Sequence, residues 1–128
     1  MAKTHKILLF MKKRPDISTE EFRDYYENRH APLCERYSQS VQRYIRRYIE
    51  PQPHPETGAF DDAYDVITEL WFDDEAVFRG TLAYITTSLM PGEVIEDEAN
   101  LFDRSSFRIA TVVECESQGL PAAGTQKP

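Results

Sequence analysis

Apolar and polar positions along the chain alternate with two periods, and the change of period marks the elements. KILLFMKKR (Lys6–Arg14) is apolar in its first half and charged at its end, the pattern of a buried strand leaving a core. PDIS then makes a turn. Ser18 with Glu21 three residues on forms a capping box. From there Phe22, Tyr25, Tyr26, His30 and Leu33 recur at helical spacing on one face, with Glu20, Arg23, Glu27 and Asn28 opposite. Pro32 disfavours a helical Ala31, so a break or kink is expected there. SVQRYIRRYIEPQ (Ser40–Gln52) alternates as a strand: Val41, Arg43, Ile45, Arg47 and Ile49 share one face, and Gln42, Tyr44, Arg46 and Tyr48 the other. A proline-rich loop, Pro51–Asp62, follows and is expected to be long and mobile.

AYDVITELWF (Ala63–Phe72) has the cleanest period of two. Tyr64, Val66, Thr68, Leu70 and Phe72 form one face; Asp65, Ile67, Glu69 and Trp71 form the other. Helices are expected over Asp73–Thr87 and Met90–Asp103, the second with Pro91 in its first turn. SFRIATVVECE (Ser106–Glu116) is the last strand. The order βαββααβ predicts an α+β, ferredoxin-like layer with helices on one face of a four-stranded, mostly antiparallel sheet. Such a sheet leaves one face bare. Ile67 and Trp71 on that face predict a homodimer packed sheet on sheet.

Composition narrows the partners. The chain has 128 residues, one domain's worth, with 41% hydrophobic and 29% charged residues. We expect one domain over 1–117 and a disordered tail over 118–128. The formal net charge of −7, with no compensating basic block, argues against nucleic acid and against an anionic membrane surface as partners. The apolar run near the start is too short for a signal segment or a membrane span, and Cys34 and Cys115 form no CxxC pattern. A cytoplasmic protein is expected. The three histidines (His5, His30, His54) show no metal-binding spacing, and no glycine-rich nucleotide motif occurs. No metal and no cofactor are expected.

The chemistry centres on DYYENRHAPLCERY (Asp24–Tyr37). His30 falls on the inward side of the helix among aromatics. Imidazole titrates near neutral pH, so His30 can take and return a proton unaided. The plainer reading is a buried histidine bonded to backbone at a helix end. Asp65 and Glu69 share a strand face about 13 Å apart, too far to act directly as a pair. Either would orient His30 or, if buried, carry a proton itself; the alternative is a rim charge paired with Arg43 or Arg47. Asp97 covers the same cavity if the last helix folds over it, and is otherwise a helix-surface charge. Tyr44 can donate to a developing enolate and Arg46 can hold a carboxylate or phenolate; the alternatives are a cross-strand aromatic and a surface cation. Trp71 with Tyr25 and Phe22 would make an aromatic wall for a flat substrate, or simply core. His54, among prolines, reads as an exposed loop residue.

FMKKRPDISTEEFRDYYENRHAPL, followed by YIRRYI, YDVITELWFDD and EDEANLFD, resembles the EthD family of the dimeric α+β barrel superfamily, from about Lys6 to about Glu114. The resemblance implies a ferredoxin-like dimer and a small cofactor-free enzyme of aromatic, lactone or polyketide-type metabolism. Relatives act as cyclases, dehydratases, decarboxylases and muconolactone isomerases. The histidine of the family's His-x-Pro block maps onto His30. Lactone-isomerising relatives look similar in placing a tyrosine at Tyr44 and a histidine near His54, while their third-strand cysteine aligns with Leu70. The wider superfamily also includes haem-degrading members; were haem bound by this chain, His30 would be its axial ligand. The function expected is cofactor-independent acid–base chemistry on a cyclic carbonyl, lactone or phenolic small molecule, with His30 as general acid and base and Tyr44 and Asp65 beside it. The substrate would be held by Phe22, Tyr25, Arg46, His54, Glu69, Trp71 and Asp97. The alternative is a non-catalytic dimer that binds an aromatic metabolite or assists an oxygenase.

Overall fold

A computed structural model describes residues 3–60, 63–87 and 91–122. Strand β1 (His5–Lys13) leads into helix α1 (Thr19–Tyr25), a π-helical turn (Tyr26–His30) and helix α2 (Ala31–Glu35). Strands β2 (Arg43–Tyr48) and β3 (Val66–Phe72) follow, then helices α3 (Glu75–Thr87) and α4 (Gly92–Ala99) and strand β4 (Phe102–Thr111). The sheet order is β2-β3-β1-β4, and every neighbouring pair is antiparallel. The expected α+β, ferredoxin-like layer is therefore the fold. Part of the anticipated tail, 123–128, lies outside the described residues, as do 61–62 of the loop and Met90 of the expected last helix. No helix among the described residues is long and apolar enough to cross a membrane.

Local chemistry explains the elements. Ser18 accepts from the Glu21 backbone N–H while the Glu21 carboxylate accepts from that of Ser18, each at 3.0 Å, so two otherwise orphaned helix donors are satisfied. The break expected at Pro32 does not occur. Ala31 is helical, and its N–H reaches back five residues to the Tyr26 carbonyl. The widened turn keeps the helix continuous where Pro32 contributes no N–H, and it stands next to His30.

Element boundaries move, most of all around the last helix and strand. The last helix ends at Ala99, not Asp103, because Leu101 and Phe102 are buried in the core and Phe102 already pairs with Lys13. Strand β4 accordingly begins and ends earlier than its sequence suggests. An irregularity between Phe10 and Lys12 shifts the β1–β4 register, and the Ser106 hydroxyl accepts from the Lys12 N–H at 2.8 Å there.

The helices cover one face of the sheet. Val66, Thr68, Leu70 and Phe72 of β3 are buried beneath them, and the intervening Ile67, Glu69 and Trp71 are partly exposed on the opposite face. The core divides in two. One cluster gathers Met11, Phe22, Tyr26, Val66, Leu101 and Phe102; the other gathers Ile7, Leu70, Phe72 and Phe78. Leu9 and Tyr44 pack against both, and the main cavity opens between them.

Candidate active site

The cavity has a volume of about 520 Å³ and lies between the sheet and the helices. Leu9, Met11 and Leu70 form its floor on the strands. Val77, Ile85 and Val94 line it from α3 and α4. The polar groups on its wall include His30, Cys34, Tyr44, Tyr26 and Glu98. At the rim, Arg36 and Tyr37 both bond Glu93, tying the turn after α2 to the start of α4.

His30 is 2% exposed, edge-on to Tyr26 and Phe102. Its Nδ1 lies 2.8 Å from an Asp97 oxygen. The second Asp97 oxygen accepts from the Tyr25 hydroxyl at 2.5 Å. Burial works to raise the Asp97 carboxyl, but hydrogen bonds from Tyr25 and His30 outweigh it and hold the group below its ordinary range. Asp97 is thus a carboxylate and accepts only, so Nδ1 carries the hydrogen. The lone pair is left on Nε2. Burial also depresses His30, against the opposing pull of Asp97, so the ring is neutral at pH 7. The arrangement is a neutral base, held in one tautomer by a carboxylate behind it.

Nε2 faces Cys34, whose sulfur is 3.4 Å away. Burial pushes the Cys34 thiol up to about 12, an effect the Tyr44 hydroxyl only partly offsets, so Cys34 stays protonated and donates weakly to Nε2. The Tyr44 hydroxyl donates to that of Tyr26 at 3.4 Å, and Tyr26 shares a 2.7 Å hydrogen bond with Thr68. Burial raises both phenols, so they remain hydrogen-bond donors. Among the described residues no group of three or more His, Cys, Asp or Glu is placed to hold a metal.

The EthD domain profile matches residues 14–105. The chain belongs to the EthD family. Among solved structures it is similar to an EthD family protein of Bacillus halodurans, at 16% identity with a TM-score of 0.56 over 88% of this chain and 100% of that one. An EthD-like protein of Ralstonia eutropha gives 18% identity and a TM-score of 0.56, over 91% and 98%. A hydroxynitrile lyase of Passiflora edulis gives 10% identity and a TM-score of 0.52, over 93% and 100%. At these identities the structural likeness speaks to the fold alone. No curated protein matches the chain.

Within this EthD chain the residues singled out from sequence divide sharply. His30 and Tyr44 line the cavity, Asp97 holds His30, and Tyr25 holds Asp97. Phe22 lies behind Tyr26, fully buried in the core, and is absent from the cavity wall. Arg46 is taken up by Glu27, through contacts of 3.0 and 2.7 Å, and does not reach the cavity. Asp65 caps the Lys13 backbone N–H at 2.8 Å and belongs to a separate groove beside Arg23 and Glu50. Glu69 and Trp71 are on the far face of the sheet, where strand alternation puts them, so Trp71 cannot join Tyr25 and Phe22 in an aromatic wall.

His54 organises its own loop. Its Nδ1 accepts the N–H groups of Glu56 and Thr57, and Gly58, at a φ of 73°, closes the turn back onto the His54 carbonyl. The carboxylate that orients His30 is therefore Asp97, not Asp65 or Glu69. Sequence reasoning missed Cys34 and Glu98 altogether. Cys34 was legible as the residue one turn after His30. Glu98 follows Val94 by one turn on the inward face of α4, and that spacing was the available signal.

Proposed function

We propose that this EthD protein is a small, cofactor-independent enzyme that moves a proton next to a carbonyl, with His30 as general base and acid. One observation carries the reading: a buried, neutral imidazole with Asp97 on Nδ1 and the lone pair of Nε2 turned to the wall of a mainly apolar cavity. A ligand C–H or O–H acid reaching Nε2 would displace Cys34 and give up its proton. Asp97 would stabilise the imidazolium formed, and the same nitrogen would return the proton. The Tyr44 hydroxyl supplies a donor for the enolate oxygen. The apolar walls favour a flat, uncharged cyclic carbonyl, lactone or phenolic compound.

The protein would act as a cytoplasmic homodimer. The face of the sheet away from the helices carries Leu8, Phe10, Ile45, Ile67 and Trp71, all partly buried in the single chain, and a second copy packed there would leave the cavity untouched.

Deuterium exchange tests the base even while the natural substrate is unidentified. 2-Tetralone, α-angelica lactone and mandelonitrile are incubated with the protein, the first two in D₂O with proton NMR and the third with detection of released cyanide. Mandelonitrile is included because one fold neighbour is named a hydroxynitrile lyase. The expected result is turnover of at least one compound above the buffer rate, lost in His30→Ala and strongly reduced in Asp97→Asn. Saturable binding with no chemical change in any of them would favour the non-catalytic binding module.

A further inference from the structure

We propose that Glu98 is a second proton-carrying group of this cavity, placed to hand a proton to the carbonyl or leaving oxygen of a ligand whose acidic C–H or O–H meets His30. The inference rests on the reading of His30 as a base and extends it to the other end of the ligand.

Glu98 is 4% exposed and lies on the cavity wall, one residue beyond Asp97 on α4. Consecutive helical positions point about 100° apart. Asp97 thus turns to His30 and Tyr25 while Glu98 turns to the cavity and to β4. One carboxylate oxygen, Oε1, accepts from Arg104 of β4, and Arg104 is itself half exposed. Asp97 collects two donors at close range; among the described residues, Arg104 is the partner of the Glu98 carboxylate. A buried carboxyl with so little compensation keeps its proton to a higher pH, and burial, offset in part by Arg104, raises Glu98 to about 7. Two adjacent carboxyls in opposite states, one ionised behind the base and one able to carry a proton, are the pairing that acid–base sites need.

The step balances. The ligand's proton goes to Nε2, giving the imidazolium. The Glu98 carboxylic acid gives its proton to the ligand oxygen, becoming a carboxylate beside Arg104. Where that oxygen is a leaving group, water departs; where it is a carbonyl, an enol forms. Solvent proton exchange returns both residues to their starting states. The substrate class that follows is a neutral molecule with an acidic C–H or O–H at one end and an oxygen acceptor at the other.

The groups facing Glu98 leave a clean window. Asp97 is held ionised, the Cys34 thiol is pushed up to about 12, Tyr26 and Tyr44 are raised by burial, and His30 is lowered. Arg104 supplies the cation. Among these groups Glu98 is the one raised into the neutral range.

2-Tetralone is the probe. Its binding to the full chain is measured by ligand-observed NMR from pH 6.5 to 9, and exchange at its C1 position is followed in matched D₂O samples. Affinity is expected to fall about tenfold across this range as the donor to the carbonyl is lost. Glu98→Gln should make binding independent of pH. Arg104→Gln, which removes the cation that favours the carboxylate, should move the midpoint upward; it decides the matter if Glu98→Gln does not fold. Binding that is independent of pH in the unaltered protein, a midpoint unmoved in Arg104→Gln, or no binding at millimolar ketone overturns the proposal. Exchange that needs His30 alongside pH-independent binding retires Glu98 and keeps the base. pH-dependent binding without exchange keeps Glu98 as the donor and retires the base.

Discussion

The two faces of the sheet put the same residue type into opposite chemistry. On the open face Glu69 accepts from Arg47 at 2.5 Å and from the Trp71 indole at 2.8 Å. Lys6 and Arg43 stand over the Trp71 ring, 4.0 and 4.6 Å from its centre. Burial works to raise Glu69, but those two donors outweigh it and the carboxyl lies below its ordinary range. On the covered face Arg104 is the donor to Glu98 among the described residues, and burial wins. The difference lies in how many donors are set against how much excluded water. The function proposed for His30 thus falls not on the charge-rich face but on the one where polar groups are few, enclosed and incompletely compensated.

That contrast can be broken most directly at His30. His30→Ala should lower deuterium exchange by about 10²- to 10⁴-fold, whereas Glu69→Gln on the open face should leave the rate within about twofold. A loss of rate of similar size in both variants would erase the distinction between the faces. Next in size is the core that carries the site. Phe22 packs edge-on against Tyr26, Tyr48 and Phe102, and Phe22→Ala should cost about 3–5 kcal/mol in urea unfolding. A much smaller cost would mean that the helix bearing His30 is held elsewhere.

The third expectation concerns pH. In the fold Glu98 retains a proton that the unfolded residue, near 4.5, has given up, so its contribution falls as pH rises from about 4.5 to about 7 and stays lost above. Relative to the unaltered protein, Glu98→Gln should gain stability over that window, by up to about 3 kcal/mol at its end. His30 acts with the opposite sign: depressed in the fold, it costs stability as pH falls below about 6.5. Denaturant midpoints of both proteins at pH 4.5, 6 and 8 separate the two slopes, and parallel curves would remove the burial argument for Glu98. The smallest effect belongs to the open face. Glu69→Gln leaves a partly exposed pair, Arg47 being 54% exposed, and should change stability by less than about 1 kcal/mol.

By itself the sequence determined the elements and their order. Alternation in VITELWF and helical spacing from Phe22 to Leu33 are local properties of the backbone, and they specify which side of each element is apolar. The inward placement of His30 followed from that spacing, and the bare face of the sheet followed from the number of helices. Tertiary structure decided which charged residue meets which. Asp65, Glu69 and Asp97 are equivalent as sequence; only α4 brings its carboxylate across 67 positions to Nδ1 of His30, while strand alternation carries Glu69 to the other side. The end of the last helix was also a tertiary matter, because pairing with β1 and burial of Leu101 and Phe102 stop it before its own pattern does. Periodicity is written in neighbours along the chain, but the ionisation of a carboxyl depends on donors and excluded water that arrive from distant segments.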